Sequence, residues 1–596
     1  MSAAPAPRSV SSSCRFAAVA AIAFVLVAPG PGFAAAQPGA AGAQPSAIAQ
    51  LADRYYAFRL QTQPEIAYFY GVETERHDGL RDNRPEALAR ERQAEDALWA
   101  ELQALDAPAR GSADWIAHGF LAQALQSARE LRVCRYESWG VSQMDGWQLN
   151  YTQLAELQPV GTPELRQQAL ARWSRLPAWI DQEIENLQAG LEAGYSAPQP
   201  AVRRVIEQLD GLLALPAEDS PFASPARRDG DADFAAEFTA LVGDGILPAT
   251  RRYRDFLAGQ YLGQARDELS VTANPDGRAC YAASLRSYTT VDRSPEEIYE
   301  LGRETVAANR ARVIELGRAA YGLDDFAAII ERIKTDPANR FGSRQELLDF
   351  ARDAVQRSGA AVPQWFGRVP QRAAVVEPYP EYQDGKGVSM RYEPGAGERP
   401  GVFRISLHQP QEQGRGNAEA TAFHEVWPGH HLQVALAQEI EGLHPVTRIS
   451  WYSGMGEGWA RYAESLAAEM GVYRTVAGPI GRLAWPARGM VVDPGIHVMG
   501  WTREQAVAFM GESGRMTEHE LEEMVDRISV LPGQLTAYDT GGLEILALRR
   551  QAEQALGERF DIRDFHDRVL ENGTVPLRML RAHVEAWLAA TEVAGP

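Results

Sequence analysis

The residues best equipped for chemistry are gathered in one stretch, Thr421-Ala-Phe-His424-Glu425-Val-Trp-Pro428-Gly429-His430-His431-Leu-Gln433, followed by Gly456-Glu457-Gly-Trp-Ala-Arg461-Tyr462-Ala-Glu464. A histidine directly followed by a glutamate, with another histidine soon after on the same apolar helix, is a pattern that holds a zinc ion and sets a general base beside its water. A carboxylate further along would supply the third protein ligand and leave the fourth position to water. One Zn2+ ion and a hydrolytic reaction are the expectation.

Pro428 stands where the usual second histidine would be, four residues after His424. At about 100° and 1.5 Å per residue, a regular helix turns His430 to the wrong face and carries His431 about 10 Å along the axis. Pro428 has no N–H, and its ring would meet the carbonyl of His424, so the helix cannot run regularly through it. A two-residue bulge at Pro428-Gly429 would return His430 to the place of the second histidine, and bulges of that kind cluster at functional sites. A helix corner carrying two surface histidines is the competing account.

On these residues the chain resembles the bacterial domain of unknown function 885, a family with His-Glu-x-x-Pro-Gly-His followed by Glu-Gly-Trp-Ala and grouped with the zincin-like metallopeptidases. The resemblance covers most of the chain and is most specific from about Arg399 onward. It implies His424, His430 and Glu457 as metal ligands and Glu425 as the base. The family's motif ends at the first histidine of the pair, which favours His430 over His431. Arg488-Gly-Met-Val-Val-Asp493-Pro-Gly-Ile-His497 is similar to the family's Asp-x-Gly-x-His element, so Asp493 and His497 are expected near the substrate or behind the ligands.

Glu457, Arg461 and Glu464 fall on one side of a helix, so Arg461 and Glu464 are expected to orient a ligand from behind. Tyr538, then Tyr462, are candidates to donate to the oxyanion that forms on the substrate carbonyl. Arg488 and Arg549 are candidates to grip a peptide's terminal carboxylate. His431 and His566 complete the set expected around the substrate. No Gly-x-Ser-x-Gly element occurs and neither Cys134 nor Cys280 adjoins a histidine, which argues against a serine or cysteine nucleophile.

A mainly α frame must hold these groups, because apolar residues recur at helical spacing from Ile48, Leu51, Tyr55 and Phe58 to Trp115, Phe120 and Leu125. Val141 to Gln158 reads as an irregular aromatic connection. Long amphipathic helices are expected around 164–194, 200–215, 231–261 and 294–320, two of them opened by Thr162-Pro163-Glu164 and Ser294-Pro295-Glu296-Glu297. Past Pro363 come short β-like runs at Val375-Val376, Gly387 to Tyr392 and Gly401 to Leu407. They predict a small sheet beside the active helix, with 401–407 as the edge that pairs with an extended peptide. Residues 48–362 are thus expected to form a helical half walling one side of a cleft, and 363–596 a zincin-like catalytic half. Short peptides suit such a cleft, in the manner of a dipeptidase, carboxypeptidase or oligopeptidase. A metal-dependent amidase on a non-peptide or cell-wall amide, and a periplasmic binding protein without turnover, are the rivals.

The 596 residues carry a formal charge of −20, which disfavours nucleic acid as a partner. Arg8 and Arg15, the apolar run Phe16 to Val27 and Ala34-Ala35-Ala36 read as a signal peptide over 1–36, with a disordered leader over 37–47. The expected address is periplasmic or secreted, with no membrane span in the mature chain. Cys134 and Cys280 are compatible with one disulfide or with two buried thiols.

Overall fold

Side-chain caps open helices throughout the chain. Ser294 Oγ accepts the Glu297 N–H while Glu297 accepts the Ser294 N–H, and with Pro295 in the first turn this launches the helix Pro295–Tyr321. Ser46, Ser112, Thr162 and Asp231 each cap a helix in the same way. The computed structural model describes residues 45–380, 384, 390–395 and 399–593, and over these the protein is mainly helical. The expected signal peptide, most of the leader and residues 387–389 lie outside the described residues.

Two expectations for the first half need correction. Val141 to Gln158 is not irregular throughout, since Trp147–Leu157 is a helix that buries Trp147, Tyr151 and Leu154 on one face. The expected 231–261 helix is divided by wider, π-type turns at Val242–Ile246 and Leu257–Tyr261. Cys134 and Cys280, 146 residues apart, form a disulfide with their Cα atoms at 4.6 Å. Among the described residues no helix is long and apolar enough to cross a membrane.

One apolar core joins Leu51, Phe120 and Leu121 to Trp459, Leu548 and Val569, so the first helices pack directly on those of the last third. A second fills the helical layer between Ala67 and Ala265. A third lies beneath the sheet, where Val376, Phe403 and Ile405 meet Phe423 and Val426.

The sheet has the order β1-β3-β2, with β1 Ala374–Pro378, β2 Arg391–Glu393 and β3 Gly401–Ile405. β3 pairs with β1 in parallel and with β2 antiparallel, Tyr392 facing Phe403. Both sides of β3 are therefore occupied by backbone partners, and 401–405 cannot serve as the substrate-pairing edge. Among the described residues β2 is an edge strand, and its Tyr392 meets His431.

Candidate metal centre

The helix Arg415–Glu425 ends just after His424, and a new helix, His430–Glu439, begins at His430 itself. The expected bulge is thus a full interruption, with Val426 at φ −118°, ψ −86° and Gly429 at φ −79°, ψ −134°. Pro428, preceded by a cis peptide bond, sits in this link and its carbonyl accepts the Trp459 indole N–H at 2.9 Å. A Cβ on Gly429 would lie 1.8 Å from the His424 carbonyl oxygen, so only glycine lets the chain fold back this tightly. That fold-back, rather than a helical repeat, is what brings the two histidines together.

Glu457 arrives from a third helix, Ser453–Glu469, which packs along Thr536–Leu556. Gly458 and Gly541 meet at this contact, where a Cβ on Gly458 would come within 2.5 Å of Gly541 Cα.

Nitrogen or oxygen atoms of His424, His430 and Glu457 lie within 4.8 Å of one another. Glu457 Oε2 is 3.5 Å from His424 Nε2 and 3.4 Å from His430 Nε2. These separations exceed the roughly 2.7–3.2 Å of ordinary hydrogen bonds. They match the roughly 3.3–3.5 Å between donors that each sit about 2.0–2.2 Å from a tetrahedral zinc. The donor set, two imidazoles and one carboxylate, also suits that ion. Behind it, His424 Nδ1 donates to Glu464 Oε1 at 2.8 Å, and Glu464 is held by Arg461 Nη1 at 2.8 Å. A carboxylate behind a ligating histidine fixes its tautomer and aims the other nitrogen at the ion. His430 lacks this support, since its buried Nδ1 has no hydrogen-bond partner among the described residues.

The electrostatics agree with a cation-seeking site. Burial opposes charge on His424, but the neighbouring carboxylates of Glu457 and Glu464 outweigh burial and raise its pKa to about 9. Burial would likewise raise Glu457, yet the two histidines hold it well below the usual carboxylate range. Glu464 is held at about 2, burial being overcome by Arg461 and His424. Glu425 differs, because burial keeps its pKa raised against the pull of the histidines. Its Oε2 accepts the Tyr392 N–H of β2 at 2.8 Å, which fixes the carboxylate against the sheet.

His431 points elsewhere. Its Nδ1 meets the Tyr392 hydroxyl and its Nε2 the Arg372 carbonyl, each at 3.0 Å, so it ties the helix to the sheet. Tyr538 is half-buried close enough to Glu457 to feel its charge, and the Arg461 guanidinium lies 5.6 Å from its ring centre.

The remaining candidates are not brought to the cluster. Tyr462 is 1% exposed and its hydroxyl is spent on His566 Nε2 at 2.7 Å, so it cannot serve an oxyanion. His566 in turn gives Nδ1–H to the Trp365 carbonyl. Arg549 is paired with Glu469 and Glu553, and Arg488 with Glu512 and the carbonyls of Ala484 and Phe509. Neither is free to grip a carboxylate. Asp493 accepts from Tyr281 and the Gly533 N–H, and His497 bridges the Val271 N–H and the Ile528 carbonyl. Both belong to the packing of the helix Arg488–His497, with Pro494 inside it. Sequence reasoning missed Tyr392, whose backbone N–H holds Glu425 and whose hydroxyl meets His431.

Fold and cluster together define a large helical protein with a small sheet and a two-histidine, one-glutamate centre. The chain matches over residues 64–584 the family described as bacterial protein of unknown function (DUF885), and it belongs to that family. No curated protein matches it. Among solved structures it is similar to a candidate lipoprotein from Colwellia psychrerythraea, at 24% identity and TM-score 0.83, covering 91% of this chain and 99% of the other. It is also similar to a candidate lipoprotein of unknown function from Shewanella oneidensis, at 19% identity and TM-score 0.75, covering 90% and 99%. These likenesses establish a shared fold.

Proposed function

We propose that the protein is an exported, zincin-like peptidase that uses one zinc ion to hydrolyse short peptides. The observation that carries this reading is the spacing of His424 Nε2 and His430 Nε2 from Glu457 Oε2, at 3.5 and 3.4 Å, with Glu425 next to His424 in the chain. His424, His430 and Glu457 would hold the ion, which when bound polarises a carbonyl and acidifies water. Glu425 takes the proton of the attacking water and returns it to the leaving amine, as its raised pKa permits. Tyr538 donates to the oxyanion, and Glu464 with Arg461 keeps His424 in register. Export fits the disulfide and the lipoprotein descriptions of the two similar structures.

The test is metal analysis of the purified protein alongside cleavage of a mixed peptide library. One zinc per chain and cleaved peptides are expected, and Glu425→Gln should keep the ion while turnover falls by about 10²–10⁴. Absence of metal, or full turnover in Glu425→Gln, contradicts the reading. Metal without peptide cleavage points to a non-peptide amide or to binding alone.

A further inference from the structure

A recess lined mainly by the first half of the chain carries negative charge that the fold leaves unpaired. Its volume is about 750 Å³, within the roughly 300–1,000 Å³ usual for small-molecule sites. Trp147 and Tyr151 reach it from the helix Trp147–Leu157, and Trp179 and Glu183 from the helix Leu176–Glu192. Each pair is spaced four apart, which puts both members on one face of their helix. A further wall comes from the turn Arg132–Cys134 and the helix Gly277–Thr289, which contribute Arg132 and Tyr288 and are tied together by the Cys134–Cys280 disulfide.

Six carboxylates and four guanidinium groups line the recess. Arg92 pairs with Glu137, Arg132 with Glu95 and Arg81 with Glu91. Glu65, Asp145 and Glu183 have no ion-pair partner among the described residues, against one such guanidinium, Arg59, whose Nη2 donates to Gln63. Glu65 is 8% exposed. Its Oε1 accepts the Arg81 backbone N–H at 2.7 Å and the Tyr151 hydroxyl at 3.4 Å, while its Oε2 accepts no hydrogen bond among the described residues. Glu183 Oε2 accepts from Asn83 Nδ2 at 3.0 Å. Burial raises the Glu183 pKa, and the hydrogen bond from Asn83 and the field of Arg81 do not cancel that rise. Asp145, although solvent reaches it, is shifted in the same direction by the protein around it. Carboxylates gathered in a sheltered space without counter-charge are costly, and an entering cation relieves that cost. The rings of Trp147, Tyr151, Trp179 and Tyr288 supply the aromatic surface on which ammonium groups and a methylene chain settle. We propose that this recess binds an aliphatic amine carrying two or more ammonium groups, with Glu65, Asp145 and Glu183 as its counter-ions. Six negative groups against four positive ones match a dication better than a single ammonium group or a neutral sugar. No residue of the metal cluster lines the recess, so this site is independent of the peptidase reading.

The test is calorimetric titration of the full-length protein with putrescine, spermidine, n-butylamine and glucose at physiological ionic strength. Putrescine or spermidine should bind saturably, one molecule per chain, and at least about tenfold more tightly than n-butylamine, with no binding of glucose. Asp145→Asn and Glu183→Gln should each lower the affinity at least about tenfold. Glu315→Gln removes the same charge from an exposed helix position and should leave it unchanged. Absence of saturable binding by either polyamine, an equal affinity for n-butylamine, tighter binding of glucose, or equal losses in Glu315→Gln and Glu183→Gln would overturn the proposal. The comparison of ligands needs no variant, so misfolding cannot mask it. A protein that binds putrescine but neither zinc nor peptides sinks only the peptidase reading, and one that takes up zinc but no polyamine sinks only the amine site.

Discussion

His497 and His430 are both buried, at 1% and 9% exposure, each at the end of a helix and each in a polar setting. Around His497 every strong hydrogen-bonding atom of the ring is used, one nitrogen by the Val271 N–H and the other by the Ile528 carbonyl. Burial holds its pKa down at about 3, so it stays neutral and acts as a rivet. Around His430 the opposite holds, since Nε2 faces Glu457 across 3.4 Å and Nδ1 has no hydrogen-bond partner among the described residues. The two regions share composition and burial and differ in what is left over. Atoms consumed by the fold mark a structural histidine, whereas convergent atoms at a separation too long for hydrogen bonding are what the proposed metal centre rests on.

The sharpest way to break this contrast is to remove each histidine in turn. His424→Ala or His430→Ala should lower zinc affinity at least about 100-fold, each removing one of the three proposed protein ligands. His497→Ala should keep zinc stoichiometry and instead lose roughly 1–3 kcal/mol of stability, because it strands a buried N–H and a carbonyl. Metal titration and thermal melts of the three variants decide it, and metal loss in His497→Ala would erase the distinction.

A smaller effect is expected one layer out. Glu464→Gln leaves the three ligands in place but weakens the support of His424 Nδ1, so zinc affinity should fall about 10–100-fold. Competition with a chelator measures this, and an unchanged affinity would show that Glu464 serves only to pair Arg461.

The smallest effect tests the riveted region. Burial raises the Asp493 pKa from 3.8 to about 7. The folded chain then holds this proton more tightly than the unfolded one, so Asp493 erodes stability as pH climbs from 3.8 to 7 and adds no further loss above. Asp493→Asn keeps an acceptor for Tyr281 and the Gly533 N–H without that penalty. It should melt on the order of 2 °C above the parent at pH 8 and show no advantage near pH 4. An advantage that is independent of pH would remove the proton from the explanation.

The helical class was legible because apolar period and capping residues are local, as at Ser294-Pro295-Glu296-Glu297. His424, His430 and Glu457 could be nominated from residue type, and the interruption at Pro428 from the chemistry of proline. What could not be read depends on distant partners. The central place of β3 follows from β2 joining its free side, and the loss of Tyr462 to the site follows from His566, 104 residues away.

The most direct measurement is anomalous diffraction at the zinc edge from crystals grown with the metal. One full-occupancy peak is predicted about 2.0–2.2 Å from His424 Nε2, His430 Nε2 and a Glu457 carboxylate oxygen. A peak elsewhere, or none with the three side chains still converged, would contradict the proposed metal centre and the proposed function with it.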